Sequence, residues 1–429
     1  MKRASVSLKE EDKDRFWPIA IFTTLIIISG FNQTMAKSLY NAPIESQNSS
    51  IVLGAERLTQ YLPMLANKRV GLVVNQTSRV HQQHLLDVLI ANRVDIKVLF
   101  APEHGVRGNV GAGEFIESGV DTATGVPIQS IYGKDKTPPD PLMQSLDVVI
   151  FDIQDVGTRF YTYISSMHYM MQAAAAHDVA FIVLDRPNPN GMYVDGPILE
   201  PAFQSFVGMH PIPLLHGLTV AELALMIKGE GWIENAAKLR LAVIPMQGYR
   251  KDMHYHVPVP PSPNLPNDLA IALYPSLCFF EATAVSVGRG TDYPFQQIGH
   301  DLIILGDHTF RPESRPFAAP TPKLEGKNLH GIDMRTSSIQ GLSLAPLINA
   351  YKLFSKHPNT TLSFFTAPDF MDKLAGTNKL RKAIEAGETE SQIRASWQAD
   401  LAGYRTQRAP YLLYPLSSHK ATGEKFKGS

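Results

Sequence analysis

From Arg69 onward the apolar positions follow two alternating rhythms. The runs "RVGLVVN" (69–75) and "DIKVLFA" (95–101) are short, β-branched and almost wholly apolar, as strands covered on both faces are. Between them, "HQQHLLDVLIAN" sets Leu85, Leu86, Leu89 and Ile90 on one helical face, so the three segments predict a βαβ unit. Another strand, "LDVVIFDI" (146–153), leads through "QDVGT" into a helix over "RFYTYISSMHYMMQAAAA". There Phe160, Ile164, Met167, Met171 and Ala174 share a face, with Thr158 placed to cap the first turn. The alternation continues with "VAFIVLD" (179–185), a helix opened by the Thr219 and Glu222 capping box, and "LRLAVIP" (239–245). The predicted class is α/β: a Rossmann-like parallel sheet covered by helices.

The proline-rich "VPVPPSPNLP" (257–266) suits neither helix nor central strand and predicts an extended run between domains. Beyond it, strand patterns in "ATAVSVG" and "HDLIILG" precede helical ones in "APDFMDKLAG", "KLRKAIEAG" and "SQIRASWQADLAGY". The expected organisation is therefore a Rossmann-like catalytic domain over 50–265 and a smaller mixed α/β domain over 266–419. Residues 1–36 read as a signal peptide or N-terminal anchor: Lys2, Arg3, Lys9, Lys13 and Arg15 precede an apolar run over 17–31, and Thr34, Met35 and Ala36 offer a cleavage site. Cys278 is the single cysteine, so no disulfide forms within the chain. Export without disulfides fits a bacterial periplasm.

Charge changes the picture mainly by exclusion. Lys plus Arg and Asp plus Glu each number 40, so no bulk positive field exists to hold nucleic acid. Membrane contact is expected only through the N-terminal segment, if it stays uncleaved.

Polar residues gather where the predicted strands end. Those ends carry Asn75, then Glu103 and His104, then Asp152 and Asp155 with Arg159 beyond, then Asp185, Arg186 and Asn188. Ligands of open parallel sheets bind at the carboxyl ends of strands, so this rim suits a hydroxyl-rich molecule. For Asp155 and Asn188 turn formation is an equal alternative, and Asp185 has ion pairing as its rival. Glutamate is a poor turn former, which singles out Glu103.

Several chemistries fit poorly. Gly105, Gly108, Gly111 and Gly113 do not form the dinucleotide fingerprint, and no Walker lysine follows; they read either as a closing loop or as plain surface. His104, His168 and the aspartates lack HxH or HExxH spacing, so no metal and no cofactor is expected, with a metal-dependent hydrolase kept as an alternative. GxSxG is missing as well. Paired carboxyls remain, as glycoside cleavage uses them: Glu103 as the acid, with Glu114, Glu117 or Asp152 as partner. Tyr161 offers an aromatic face for a sugar, and Arg107, Arg159, Arg186 and Arg289 are available to clamp a carboxylate.

A set of motifs in order, "GLVVNQTS", "LFAPEHGVRG", "DVVIFDIQDVGTRFYTYISSM", "DRPNPNG", "PIPLLHGLTVAEL", "PSPNLP" and "FFEATAVSVGRGTDYPFQQIG", resembles the bacterial exo-β-N-acetylmuramidases over residues 53–415. The resemblance implies a cleft between two domains that takes N-acetylmuramic acid from the non-reducing end of β-1,4-linked peptidoglycan fragments of the MurNAc-GlcNAc type. It also implies the acid/base role for Glu103, which matches the glutamate of the "EHG" motif. Val106 and Ile131 depart from the family pattern, away from any proposed catalytic group. A silent muropeptide-binding protein is the alternative from another functional class.

Overall fold

Strands form where both faces are apolar, and the computed structural model, which describes residues 51–107, 119–134, 136–358 and 362–417, joins seven of them in one sheet. They are β1 (Arg69–Val74), β2 (Asp95–Ala101), β3 (Gly119–Val120), β4 (Pro127–Ser130), β5 (Val148–Asp152), β6 (Ala180–Leu184) and β7 (Leu241–Ile244). Their spatial order is β7-β6-β5-β1-β2-β4-β3. All neighbours run parallel except the edge pair β3 and β4. Chain order thus diverges in both directions from β1, as in doubly wound folds, and leaves a switch point between β1 and β5.

Alternation along the strands divides the core in two. Val73, Phe100, Phe151 and Val183 face one apolar cluster, while Leu72, Leu99, Ile150 and Leu184 face the other. Helices α1 (Leu85–Ala91), α2 (Asp140–Gln144), α3 (Tyr163–Ala176) and α4 (Val220–Gly229) cover these faces: Leu85 and Leu89 join the second cluster, Met143, Met167 and Leu223 the first. Each fully buried side chain of this size contributes roughly 1.5–3 kcal/mol, so the two-sided core anchors the strand tips firmly.

The C-terminal part adds α5 (Asp268–Leu277), an antiparallel sheet of β8 (Gln297–His300), β9 (His308–Phe310) and β10 (Leu329–Asp333), then α6 (Ala345–Lys356), α7 (Pro368–Ala375), α8 (Lys379–Glu385), α9 (Glu390–Ala395) and α10 (Gln398–Arg408). Phe280, Leu347 and Trp397 from this part enter the same cluster as Phe151 and Met167.

Several local expectations need correction. "HDLIILG" holds a strand only to His300, and Leu302 and Ile304 are exposed beyond it. "ATAVSVG" forms isolated bridges, Thr283 to Phe365 and Ser286 to Gly299, instead of a strand. "SQIRASWQADLAGY" breaks into α9 and α10 around Trp397, whose indole is buried and donates to Asp195. Helix α3 begins at Tyr163, and its N-cap position is Thr162; Thr158 is buried instead and bridges Leu215 through its backbone.

The proline-rich connection lies against the carboxyl edge of the sheet. Gln76 donates to the Pro260 and Pro261 carbonyls at 3.1 and 3.3 Å, and the Tyr161 hydroxyl donates to Pro261 at 2.8 Å.

Candidate active site

Strand β2 ends at Ala101 because Pro102 has no N–H to continue the ladder. The chain then turns back, with Gly105 N–H bonded to the Pro102 carbonyl at 3.0 Å and His104 at φ 72°. This is a type II arrangement, which normally reserves the left-handed position for glycine. A buried histidine held there costs about 1–2 kcal/mol of backbone strain, and it fixes Glu103 at the apex of the turn. The Thr162 hydroxyl donates to Glu103 Oε2 at 3.3 Å, so the residue at the helix N-cap position serves the carboxyl instead of its own helix. Tyr132 lies against the same carboxyl; burial and the charge of Glu103 push its phenol pKa up. Tyr163 donates to the Glu103 carbonyl at 3.3 Å.

Half-buried, Glu103 lines a cleft of roughly 450 Å³ with Glu281, Ser286, Arg289 and Lys323. Arg289 donates through Nε to Glu281 Oε1 at 2.7 Å and lies over the Phe295 ring at 5.0 Å. Its two terminal nitrogens make no hydrogen bond among the described residues, which leaves the planar end of the guanidinium for a ligand. The Lys323 ammonium donates to the carbonyls of Phe280, Glu281 and Thr283. Burial lowers its pKa, yet the three carbonyls hold it as a fixed positive charge. The cleft therefore combines two carboxyls with two cations.

The other described residues of the predicted rim are not among those lining this cleft. Asp152 is fully buried and both its oxygens accept from Arg186, Nε at 2.6 Å and Nη2 at 2.8 Å. Arg159, also fully buried, donates to four carbonyls, those of Pro197, Ile212, Leu374 and Ala375; burial brings its pKa down to about 9. Asp185 receives Thr219, Tyr414 and the Arg186 and Ala221 amides, tying β6 to the start of α4 and to the C-terminal tail. Asn188 bonds Leu218 O and Asn190 N.

Asn75 accepts from Thr77 twice and keeps one buried amide nitrogen without a partner among the described residues. Asp155 accepts from Gly157 N at 2.7 Å, and its Oδ1 has no partner among the described residues; burial raises its pKa to about 7. Arg107 is exposed and paired with Asp121 at 2.7 Å. Tyr161 is buried edge-on against Tyr163 and Tyr274. Glu114, Glu117, most of the glycine loop and the N-terminal segment lie outside the described residues.

Of the predicted set, then, Glu103 and Arg289 line the same cleft. Glu281 and Lys323 went unnoticed in the sequence. Glu281 had a signal, since it sits in the "FFEATAVSVGRG" motif eight residues before Arg289, whereas nothing around Lys323 marks it. His168 packs in the core with Nδ1 3.0 Å from His210 Nε2, and burial lowers its pKa to about 4. Among the described residues no three His, Cys, Asp or Glu side chains gather as a metal site.

A doubly wound sheet that brings two carboxyls to one cleft has the groups that glycoside cleavage uses. Comparison with known proteins narrows the class. The N-terminal model of the exo-beta-N-acetylmuramidase NamZ family matches residues 70–269 and its C-terminal model residues 272–414. The peptidoglycan beta-N-acetylmuramidase NamZ of Bacillus subtilis (strain 168) is 38% identical over 384 residues, covering 83% of this chain and 89% of the relative. Two crystal structures of DUF1343 family proteins from Bacteroides fragilis NCTC 9343 superpose with TM-scores of 0.78 and 0.73, at 43% and 30% identity. They cover 86% and 85% of this chain, and the match takes in 99% of each of them. The chain belongs to the exo-β-N-acetylmuramidase NamZ family.

Proposed function

We propose that this glycosidase releases N-acetylmuramic acid from the non-reducing end of MurNAc-GlcNAc fragments of peptidoglycan, with Glu103 as the acid/base. The observation that carries the assignment is the sharing of one cleft by Glu103, Glu281, Arg289 and Lys323. Glu103 hands its proton to the glycosidic oxygen as the bond to the anomeric carbon breaks, and the GlcNAc end leaves as an alcohol. The carboxylate so formed then takes a proton from the water whose oxygen attacks that carbon. Glu281 is the second carboxyl facing the developing positive charge, in place of the Glu114, Glu117 or Asp152 that the sequence pattern offers. The free end of Arg289 fits the lactyl carboxylate, the group that separates muramic acid from glucosamine. The charged and apolar pattern of residues 1–36 supports export to the periplasm.

The purified protein, incubated with MurNAc-GlcNAc and with the reversed disaccharide GlcNAc-MurNAc, is expected to cleave only the first. Equal cleavage of both contradicts recognition of a terminal muramic acid. Sugar binding without any release assigns a binding protein instead, and loss of activity with chelator assigns a metal hydrolase.

A further inference from the structure

A second cavity, of roughly 390 Å³, opens where the strand order reverses, and the reaction above makes no use of it. Its lining comes from the carboxyl ends of three neighbouring strands: Thr77 after β1, Gln154 after β5 and Arg186 after β6. Doubly wound sheets hold their ligands at this point, because the loops of β1 and β5 part in opposite directions. The usual occupant there is a dinucleotide seated on a glycine turn and a helix N-terminus. Here β1 runs instead into Asn75, Gln76 and a two-stranded hairpin over residues 79–84, so the phosphate cradle is gone while the crevice remains.

The chemistry of the cavity is that of an oxyanion receptor. Thr77, Gln154, Arg186 and Tyr255 are each more than nine-tenths buried yet line it. Arg186 spends Nε and Nη2 on Asp152 and the Arg79 carbonyl, and its Nη1 has no hydrogen bond among the described residues. Arg79 bonds the Gln76 and Gln82 carbonyls through Nε and Nη1, and its Nη2 is likewise unused. The Tyr255 hydroxyl has no hydrogen bond among the described residues either. Three unused donors, two of them cationic, thus belong to side chains of one lining that holds Glu56 as its single carboxyl. All three atoms keep some contact with solvent, so an anion entering the cavity reaches them without displacing a protein partner. Ile51, Leu53, Val257 and Val259 add apolar surface to the same lining.

We infer that the switch-point cavity binds an anion with two or more acceptor oxygens next to a small apolar group. Such an anion is either the carboxylate of a short acidic peptide or the phosphate of a phosphorylated sugar. The proline-rich connection links this cavity with the Glu103 cleft: Val257, Pro258 and Val259 line the cavity, and Asn264 holds the carbonyl of Ala318 on the cleft. A ligand here therefore sits beside the reaction without occupying its place.

The experiment is calorimetric titration of the protein with inorganic phosphate and, separately, with N-acetyl-L-alanyl-D-glutamate, alongside hydrolysis of a chromogenic β-muramide. Saturable binding of at least one probe is expected, weakened about tenfold or more in Arg79→Gln and by a smaller factor in Tyr255→Phe, with hydrolysis of the small muramide unchanged by either substitution. Binding of the peptide alone assigns the peptide source, and of phosphate alone the sugar phosphate. The inference is overturned if neither probe saturates, or if both variants bind as the parent does. It is equally overturned if the probe competes with the muramide, which would place it in the Glu103 cleft. Should Arg79→Gln fail to fold, Tyr255→Phe carries the test. Hydrolysis is read in its own channel, so its absence bears on the proposed activity and not on this cavity.

Discussion

Arg186 grips Asp152 through two parallel hydrogen bonds of 2.6 and 2.8 Å, with both side chains almost completely buried. The pair joins β5 to the loop after β6 at the carboxyl edge of the sheet. Removing one partner strands the other charge in the interior, which costs about 3–5 kcal/mol. Asp152→Asn is expected to lower the urea midpoint by a corresponding amount, with the surviving folded fraction still turning over substrate. A normal midpoint combined with lost turnover would place Asp152 in the chemistry.

Arg159 is a parallel case without any carboxylate. Its guanidinium fastens Pro197 and Ile212 to the end of α7, and Gly376 lies so close that an added Cβ would stand 2.6 Å from Nη2. Arg159→Met takes the guanidinium away from four carbonyls, of which Ile212 keeps the Leu199 N–H at 3.3 Å, and each buried acceptor left unbonded costs about 1–3 kcal/mol. The expected outcome is a large drop in melting temperature, whereas a purely substrate-clamping arginine would raise KM and leave melting unchanged.

Asp155 makes stability depend on pH. Burial raises its folded pKa from 3.8 to about 7, so the folded protein holds a proton that the unfolded chain releases between those values. A raised carboxyl stabilises fully below the unfolded pKa, and that contribution declines as pH climbs to about 7, then levels off. Asp155→Asn removes the titration while keeping the acceptor for Gly157. Unfolding curves from pH 4 to 8 should show the variant gaining on the parent as pH rises; a constant difference across the range would contradict the shift. Asp185, raised to about 7 by burial, titrates over the same window in both proteins and cancels in the comparison.

Much of this architecture was legible in the sequence. The apolar runs at β1, β2, β5, β6 and β7 lie where the periodicity predicts, since strands buried on both faces leave few alternatives. The site was less legible, for a physical reason. A polar residue after a strand reads the same whether it faces a ligand or an internal partner, and Arg186, Asp185 and Asn188 satisfy one another's neighbours inside the fold. Lys323 stood no chance of being found, because its significance comes from carbonyls about forty residues earlier in the chain. His104 could have given a hint only through its backbone angle, which composition does not disclose.

Arg289 offers a test of specificity apart from the acid. Its Nε serves Glu281, so Arg289→Lys keeps a positive charge but forfeits the planar two-nitrogen end. The variant should raise KM for a chromogenic β-muramide about tenfold or more, with a smaller change in kcat. Competitive inhibition by N-acetylmuramic acid should weaken in the variant, while inhibition by N-acetylglucosamine, which lacks the lactyl carboxylate, should be alike in parent and variant. An equal weakening of both inhibitors would remove Arg289 from carboxylate recognition.

The most direct measurement is the single-turnover rate of Glu103→Gln on a chromogenic β-muramide, taken with its melting temperature. The Thr162 and Tyr132 contacts survive the isosteric change, so the protein should melt as the parent does while the rate falls about 10²–10⁴-fold, the loss typical of a removed acid/base. A folded variant that keeps most of the parental rate would contradict the assignment of Glu103.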